Sequence, residues 1–169
     1  MPSLQIEREG HSTCVLDSKV YVLGGHDGSD LINAVEYFQV TSDMEETQNG
    51  SWNLLQTNGS FEPRQCPLVC ALNADTILLS GGFDSDDYFS DAYLFNTKTE
   101  KWSVAIEHDY QKEGFSCFDA IQVAPGHVIA LVRDSRKQPH AVEYKLSTNR
   151  LEFLWDFNAD LPEGRLRSQ

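Results

Sequence analysis

The chain has 169 residues, 26 acidic and 13 basic, for a formal net charge of −13. That charge repels phosphate backbones and anionic lipid, so nucleic acid and membrane surfaces are excluded as expected partners. The sequence carries no apolar run long enough for a membrane-spanning helix and no charged, apolar, small-residue leader, so the expected compartment is cytoplasmic.

Taken in chain order, the first apolar stretches are Cys14 to Leu16 and Val20 to Leu23. They are too short for helices and are bounded by turn residues such as Asp17-Ser18, so they read as strands buried on both faces. The second ends in Gly24-Gly25 and runs into a polar loop, His26-Asp-Gly-Ser-Asp30. A third strand is read at Ala34 to Phe38, followed by a polar, solvent-facing inserted loop, residues 41–50, before Trp52.

The succession then recurs. Arg64-Gln-Cys-Pro-Leu-Val-Cys70-Ala-Leu72 lies over Arg8-Glu-Gly-His-Ser-Thr-Cys14-Val-Leu16, with arginine, cysteine and leucine coinciding. Ile77-Leu-Leu-Ser-Gly-Gly-Phe-Asp84 repeats Val20-Tyr-Val-Leu-Gly-Gly-His-Asp27 57 residues later. Asp91 to Phe95 matches Ala34 to Phe38, and Trp102 follows Phe95 by seven positions. In a third copy Leu151 follows Tyr144 by the same interval, Pro125-Gly126 supplies the first turn, and Val132 and Arg133 stand where the glycine pair stood. All three copies read strand, turn, strand, loop, strand, turn, strand. Leu161-Pro-Glu-Gly-Arg165 repeats the beginning of a unit, with Arg165 in the place of Arg8 and Arg64.

Self-similarity near 50 residues points to a propeller. The glycine pairs fit a crowded backbone crossing or a positive φ, and Phe38, Phe95, Tyr144 and the tryptophans read as apolar fillers between neighbouring units. A hydrophobic run ending in Gly-Gly, then an aromatic on a Val-Glu type strand, then a later tryptophan, is similar to the kelch repeat. The structural motif residues are Gly24, Gly25, Trp52, Gly81, Gly82 and Trp102.

The resemblance implies an all-β fold of β-propeller blades, each of four antiparallel strands. It divides the chain into residues 1–58 with the inserted loop 41–50, 59–106, a degenerate blade 107–157, and a tail 158–169 resembling the start of a fourth blade. Three blades make a partial propeller, since at least four close a ring. The expected remedy is a homodimer, a larger kelch assembly, or a capping protein.

Chemistry is expected in the loops. Asp84-Ser-Asp-Asp-Tyr88 has the clustered oxygens of a calcium or magnesium site but lacks the glycine and distal glutamate of a hand-type loop, and a solvated turn accounts for it first. Cys66-x-x-x-Cys70 has no second pair to complete a metal site, and Cys14 and Cys70 repeat within strands as buried thiols do. The sequons at Asn49 and Asn58 read as turns. The five histidines follow no catalytic spacing, and no nucleophile elbow or phosphate loop is present.

The expectation is therefore a non-catalytic module without metal or cofactor. It binds a protein partner with a basic surface through loops on one propeller face. The expected loop residues are Asp27, Ser29, Asp30, Asp84, Asp86, Asp87 and Tyr88, with Arg133, Asp134 and Arg136 beside them. The resemblance also implies two alternatives, a substrate-recruiting adaptor of a ubiquitin ligase and a kelch-type enzyme or carbohydrate-binding propeller.

Overall fold

The structure, a computed structural model, describes residues 2–43, 50–109 and 111–156. The tail 158–169 and most of the inserted loop lie outside the described residues. Within them, twelve strands form three four-stranded antiparallel sheets and no helix. The first sheet holds β1 (Ser12–Leu16), β2 (Lys19–Leu23), β3 (Val35–Gln39) and β4 (Trp52–Leu54). The second holds β5 (Leu68–Ala71), β6 (Thr76–Ser80), β7 (Ala92–Asn96) and β8 (Lys101–Ile106). The third holds β9 (Phe115–Ala124), β10 (His127–Asp134), β11 (Pro139–Lys145) and β12 (Arg150–Asp156). Each sheet is a meander in sequence order.

Local chemistry sets the hairpins. Asp17 and Ser18 both take left-handed φ, 50° and 55°, the two-residue turn whose twist matches its flanking strands. Gly126, at φ 74°, turns β9 into β10.

The sheets stack through alternate faces. Ile77 and Leu79 of β6 meet Tyr21 and Leu23 of the first sheet, with Phe95, Trp102 and Phe61 filling the space. Leu78, between them in sequence, faces the other way with Leu68 toward Phe115, Val128, Val132 and Tyr144. The middle sheet is therefore buried on both sides, as its continuous apolar runs predict. The first and third sheets depart from that expectation on their outward faces, where Val15 is 65% exposed and Ile121 64%. Sequence periodicity marks a strand as able to bury both faces, and burial itself requires a neighbouring sheet.

A second departure concerns the third unit. Its expected loop between second and third strands is a tight turn, because β10 continues through Val132, Arg133 and Asp134 in register with β9, and through Arg133 with β11.

The glycine pairs explain the difference. The segment leading into each following unit crosses directly over them. Gly25 N donates to Arg64 O at 2.8 Å, and Gly82 N donates to Phe115 O at 2.6 Å. A Cβ on Gly24 would lie 2.8 Å from Arg64 O, and one on Gly81 would lie 2.7 Å from both Cδ2 and the carbonyl of Phe115. Both reasons read from the sequence hold, since all four glycines have positive φ.

Gly81→Ala is expected to lower the unfolding free energy by about 3 kcal/mol, combining left-handed strain with a clash against packed backbone and ring. Gly28→Ala, at φ 99° with nothing within 4 Å of the added Cβ, is expected to cost only the strain, about 1 kcal/mol. Chemical denaturation of the two variants measures the difference, and equal losses would refute the crossing as the constraint.

Candidate interaction face

Two buried arginines hold the bases of the long connections between second and third strands. Arg64 Nη1 donates to Gly81 O at 2.9 Å and Asp91 Oδ1 at 2.5 Å, while Nη2 donates to Asp91 Oδ2 at 2.8 Å. Gly81 and Asp91 are the two ends of one loop, so a single guanidinium closes it. Arg8 repeats the arrangement, with Nη1 donating to Gly24 O at 2.9 Å and Ala34 O at 3.2 Å, and Nη2 to Glu36 Oε1 at 2.7 Å. Glu36 stands two residues further along its strand than the position matching Asp91, on the same face, and its extra methylene spans the offset. Its carboxylate also accepts from the amides of Gln5 and Ile6. All four charged side chains are 0–2% exposed. Sequence reading aligned the arginines without assigning them partners; an arginine before the first strand, answered by an acid near the third in two units, was the available signal.

Above each clamp the loop folds identically. Asp27 Oδ1 accepts from the amides of Ser29 and Asp30 at 2.8 and 2.7 Å, and Asp84 Oδ1 accepts from Asp86 and Asp87 at 2.8 and 2.7 Å. These side chains shape turns by mimicking a backbone acceptor. The amides of Asp30 and Ser29 hold the Asp27 carboxyl below the usual carboxylate range. A further backbone bridge ties each loop inward, His26 with Glu9 and Leu31, and Phe83 with Gln65 and Tyr88. Tyr88 stacks on Phe83 with ring centroids 5.1 Å apart.

The expected site residues fall on three successive connections, except Arg133 and Asp134, which end strand β10. Asp30 of the first and Asp84 of the second line one groove of about 630 Å³ with Glu62, Glu107 and the rings of Phe89 and Tyr93. Asp87 and Tyr88 share a smaller depression of about 260 Å³ with Ser135 of the third unit's hairpin. Asp27, Ser29, Asp30, Asp86 and Asp87 are exposed, as are Arg133 and Arg136. Arg133 lies over the Phe118 ring at 4.5 Å. Asp134 differs: it is 6% exposed and turned into its hairpin, where it accepts from Gln138 N at 2.7 Å and meets His140 Nε2 at 3.0 Å.

The four cysteines are free. Burial pushes the thiols of Cys14 and Cys117 up to about 12, which removes them as thiolate nucleophiles at neutral pH.

A family model described as the KLHDC2/KLHL20/DRC7 kelch-repeats domain matches residues 3–130. Among curated relatives, an F-box/kelch-repeat protein of Arabidopsis thaliana is 32% identical over 111 residues, covering 64% of this chain and 26% of that protein. A putative F-box/kelch-repeat protein of the same plant is 38% identical over 112 residues, 62% of this chain and 31% of its own length. The chain thus spans under a third of the relatives it matches. It belongs to the kelch-repeat family, whose blades its three sheets are, and that membership supports a protein-interaction module.

Two outcomes follow from this geometry. Asp91→Ala strands a buried guanidinium and is expected to cost about 3–5 kcal/mol in denaturant unfolding, whereas Lys98→Ala, which breaks an exposed pair with Asp75, costs under about 1 kcal/mol. Cys14 and Cys117 are expected to react with iodoacetamide at least about 100-fold more slowly than in the denatured chain, from the lowered thiolate fraction. Peptide mapping after timed alkylation reads this directly, and matching rates would refute it.

Proposed function

We propose that the chain is a non-catalytic kelch module that binds a protein partner with a basic surface through the connections between second and third strands. One observation carries the reading: the acidic loops of two successive units face one groove, and the third unit's hairpin adjoins them. Carboxylates that share one groove reinforce one another, steering a cationic partner with an effect that weakens as salt rises. Aromatic rings in the same groove suit the stems and charged heads of lysine and arginine.

Recruitment of a substrate to a ubiquitin ligase is a second reading, favoured by relatives named F-box/kelch-repeat proteins. The outward faces bearing Val15 and Ile121 favour completion of the ring by a second copy or by further kelch units. The net charge of −13 argues against a nucleic-acid or anionic-membrane partner for the same surface.

The test is an array of equal-length peptides graded from net negative to net positive, probed with the whole chain at two salt concentrations. Binding is expected to rise with positive charge and fall with salt. An Asp30→Asn, Asp84→Asn, Asp87→Asn triple variant is expected to lose about tenfold, given typical energies of interfacial charges. Binding indifferent to peptide charge, or unchanged in the triple variant, would overturn the proposal.

A further inference from the structure

The third unit closes its connection with different chemistry from the other two. Phe115 occupies the place of Arg64, giving its carbonyl to Gly82 but having no guanidinium. His140 precedes Ala141 as Asp91 precedes Ala92, so an imidazole stands where the second unit has a carboxylate. The hairpin is held by Asp134, whose Oδ1 accepts from Gln138 N at 2.7 Å and whose Oδ2 lies 3.0 Å from His140 Nε2. The two side chains are 9% and 14% exposed. Behind the imidazole the Phe153 ring stands edge-on at 5.3 Å, and Phe153 meets Phe115 at 6.2 Å.

We propose that Asp134 and His140 form a pH-dependent clamp that sets how firmly the β10–β11 turn, with Ser135, is held beside the acidic loop of the second unit. The inference rests on reading that face as the partner surface. Its regulatory content comes from the exchange of residue types. A guanidinium stays charged at every pH the protein meets, whereas an imidazole changes charge between about pH 5 and 8.

The groups that face the pair come from each element packed against it. From β9, Phe115 lies opposite Asp134; from β12, Phe153 packs on the ring and the register sets Asp156 opposite His140. Glu113, before β9, accepts from Ser135 at 2.7 Å. The turn carries Arg136 and Lys137, and Arg136 gives its backbone amide to Asp134. His127, paired with Glu143 at 2.5 Å, sits at the opposite end of β10.

The sign follows from both partners. Burial raises the Asp134 carboxyl, but the Gln138 amide and His140 outweigh it and leave the group below its ordinary range. With Asp134 ionised and His140 protonated, the bond is charge-assisted and roughly twice as strong as a neutral one. The clamp is therefore full between those two ranges. It weakens as pH rises through the imidazole range, and separately as pH falls through the lowered carboxyl range.

The experiment is amide hydrogen exchange on the full chain, expressed as protection factors from about pH 5.5 to about pH 8 across the imidazole range. Gln138 is expected to lose about fivefold in protection as the charge-assisted bond weakens, while Leu79, buried in β6, stays level. His140→Gln is expected to abolish that dependence and His127→Gln to leave it intact. A Gln138 amide indifferent to pH, a dependence that survives His140→Gln, or one that disappears in His127→Gln would each overturn the clamp. Should His140→Gln fail to fold, the His140 ring titration by NMR decides, because it must move to lower pH in Asp134→Asn; an unmoved titration overturns the clamp. None of these readouts involves a partner. Loss of the clamp leaves the peptide-binding proposal standing, and loss of charge-dependent peptide binding leaves the clamp standing.

Discussion

Arg64 faces two ways, and the structure depends on both. Its carbonyl accepts from Gly25 of the first unit, and its guanidinium grips Gly81 and Asp91 of the second. The first bond fixes one sheet on the next; the second closes the loop that the sheet carries. Buried ion pairs contribute little net stability once desolvation is counted. What this one supplies is position, because a planar donor satisfied by two loop ends and a bidentate carboxylate admits one geometry. The glycine pair is the counterpart on the receiving sheet, since the carbonyl reaches it only where no Cβ intervenes.

Phe115 separates the two functions. It keeps the carbonyl bond to Gly82 and fills the space beneath with a buried ring, so the third sheet stacks on the second much as the second stacks on the first. It gives up the guanidinium, and the connection above it contracts to a hairpin continuous with β10 and β11. A unit can thus lose its glycine pair and loop while keeping its place in the stack, because stacking is decided by the chain as it enters its first strand and looping by the residues after its second. Phe118 and Arg133, packed together on the outward face, show that this face has taken on chemistry of its own.

How much of this was legible follows from where each constraint is recorded. Positive φ and close crossing demand glycine, so Gly24, Gly25, Gly81 and Gly82 appear as a repeated residue type. The filling of space between sheets demands large apolar groups, so Phe95 and Trp102 show at fixed spacing. The clamps were not read because each joins residues 27 or 28 apart, and the acid shifts from Asp91 to Glu36 between units. Val132-Arg133 in the place of a glycine pair shows in the sequence, but the lengthening of β10 depends on pairing that only the third dimension supplies. Asp134 looked like a loop acid for the same reason: its burial is a property of the hairpin.

The acidity of the chain divides along similar lines. Asp91 and Glu36 are neutralised internally, and Asp27 and Asp84 shape turns, so the fold itself accounts for these carboxylates. It does not require Asp30, Glu62 and Glu107 to line a common groove. Like charges gathered in one groove raise the energy of the isolated protein. Nothing in strand pairing, sheet stacking or turn geometry calls for the arrangement, and a cationic group placed among them removes the repulsion. The charges that structure leaves unexplained are therefore the ones that argue for a partner, and Asp30 among them is carried on a loop whose two ends Arg8 holds.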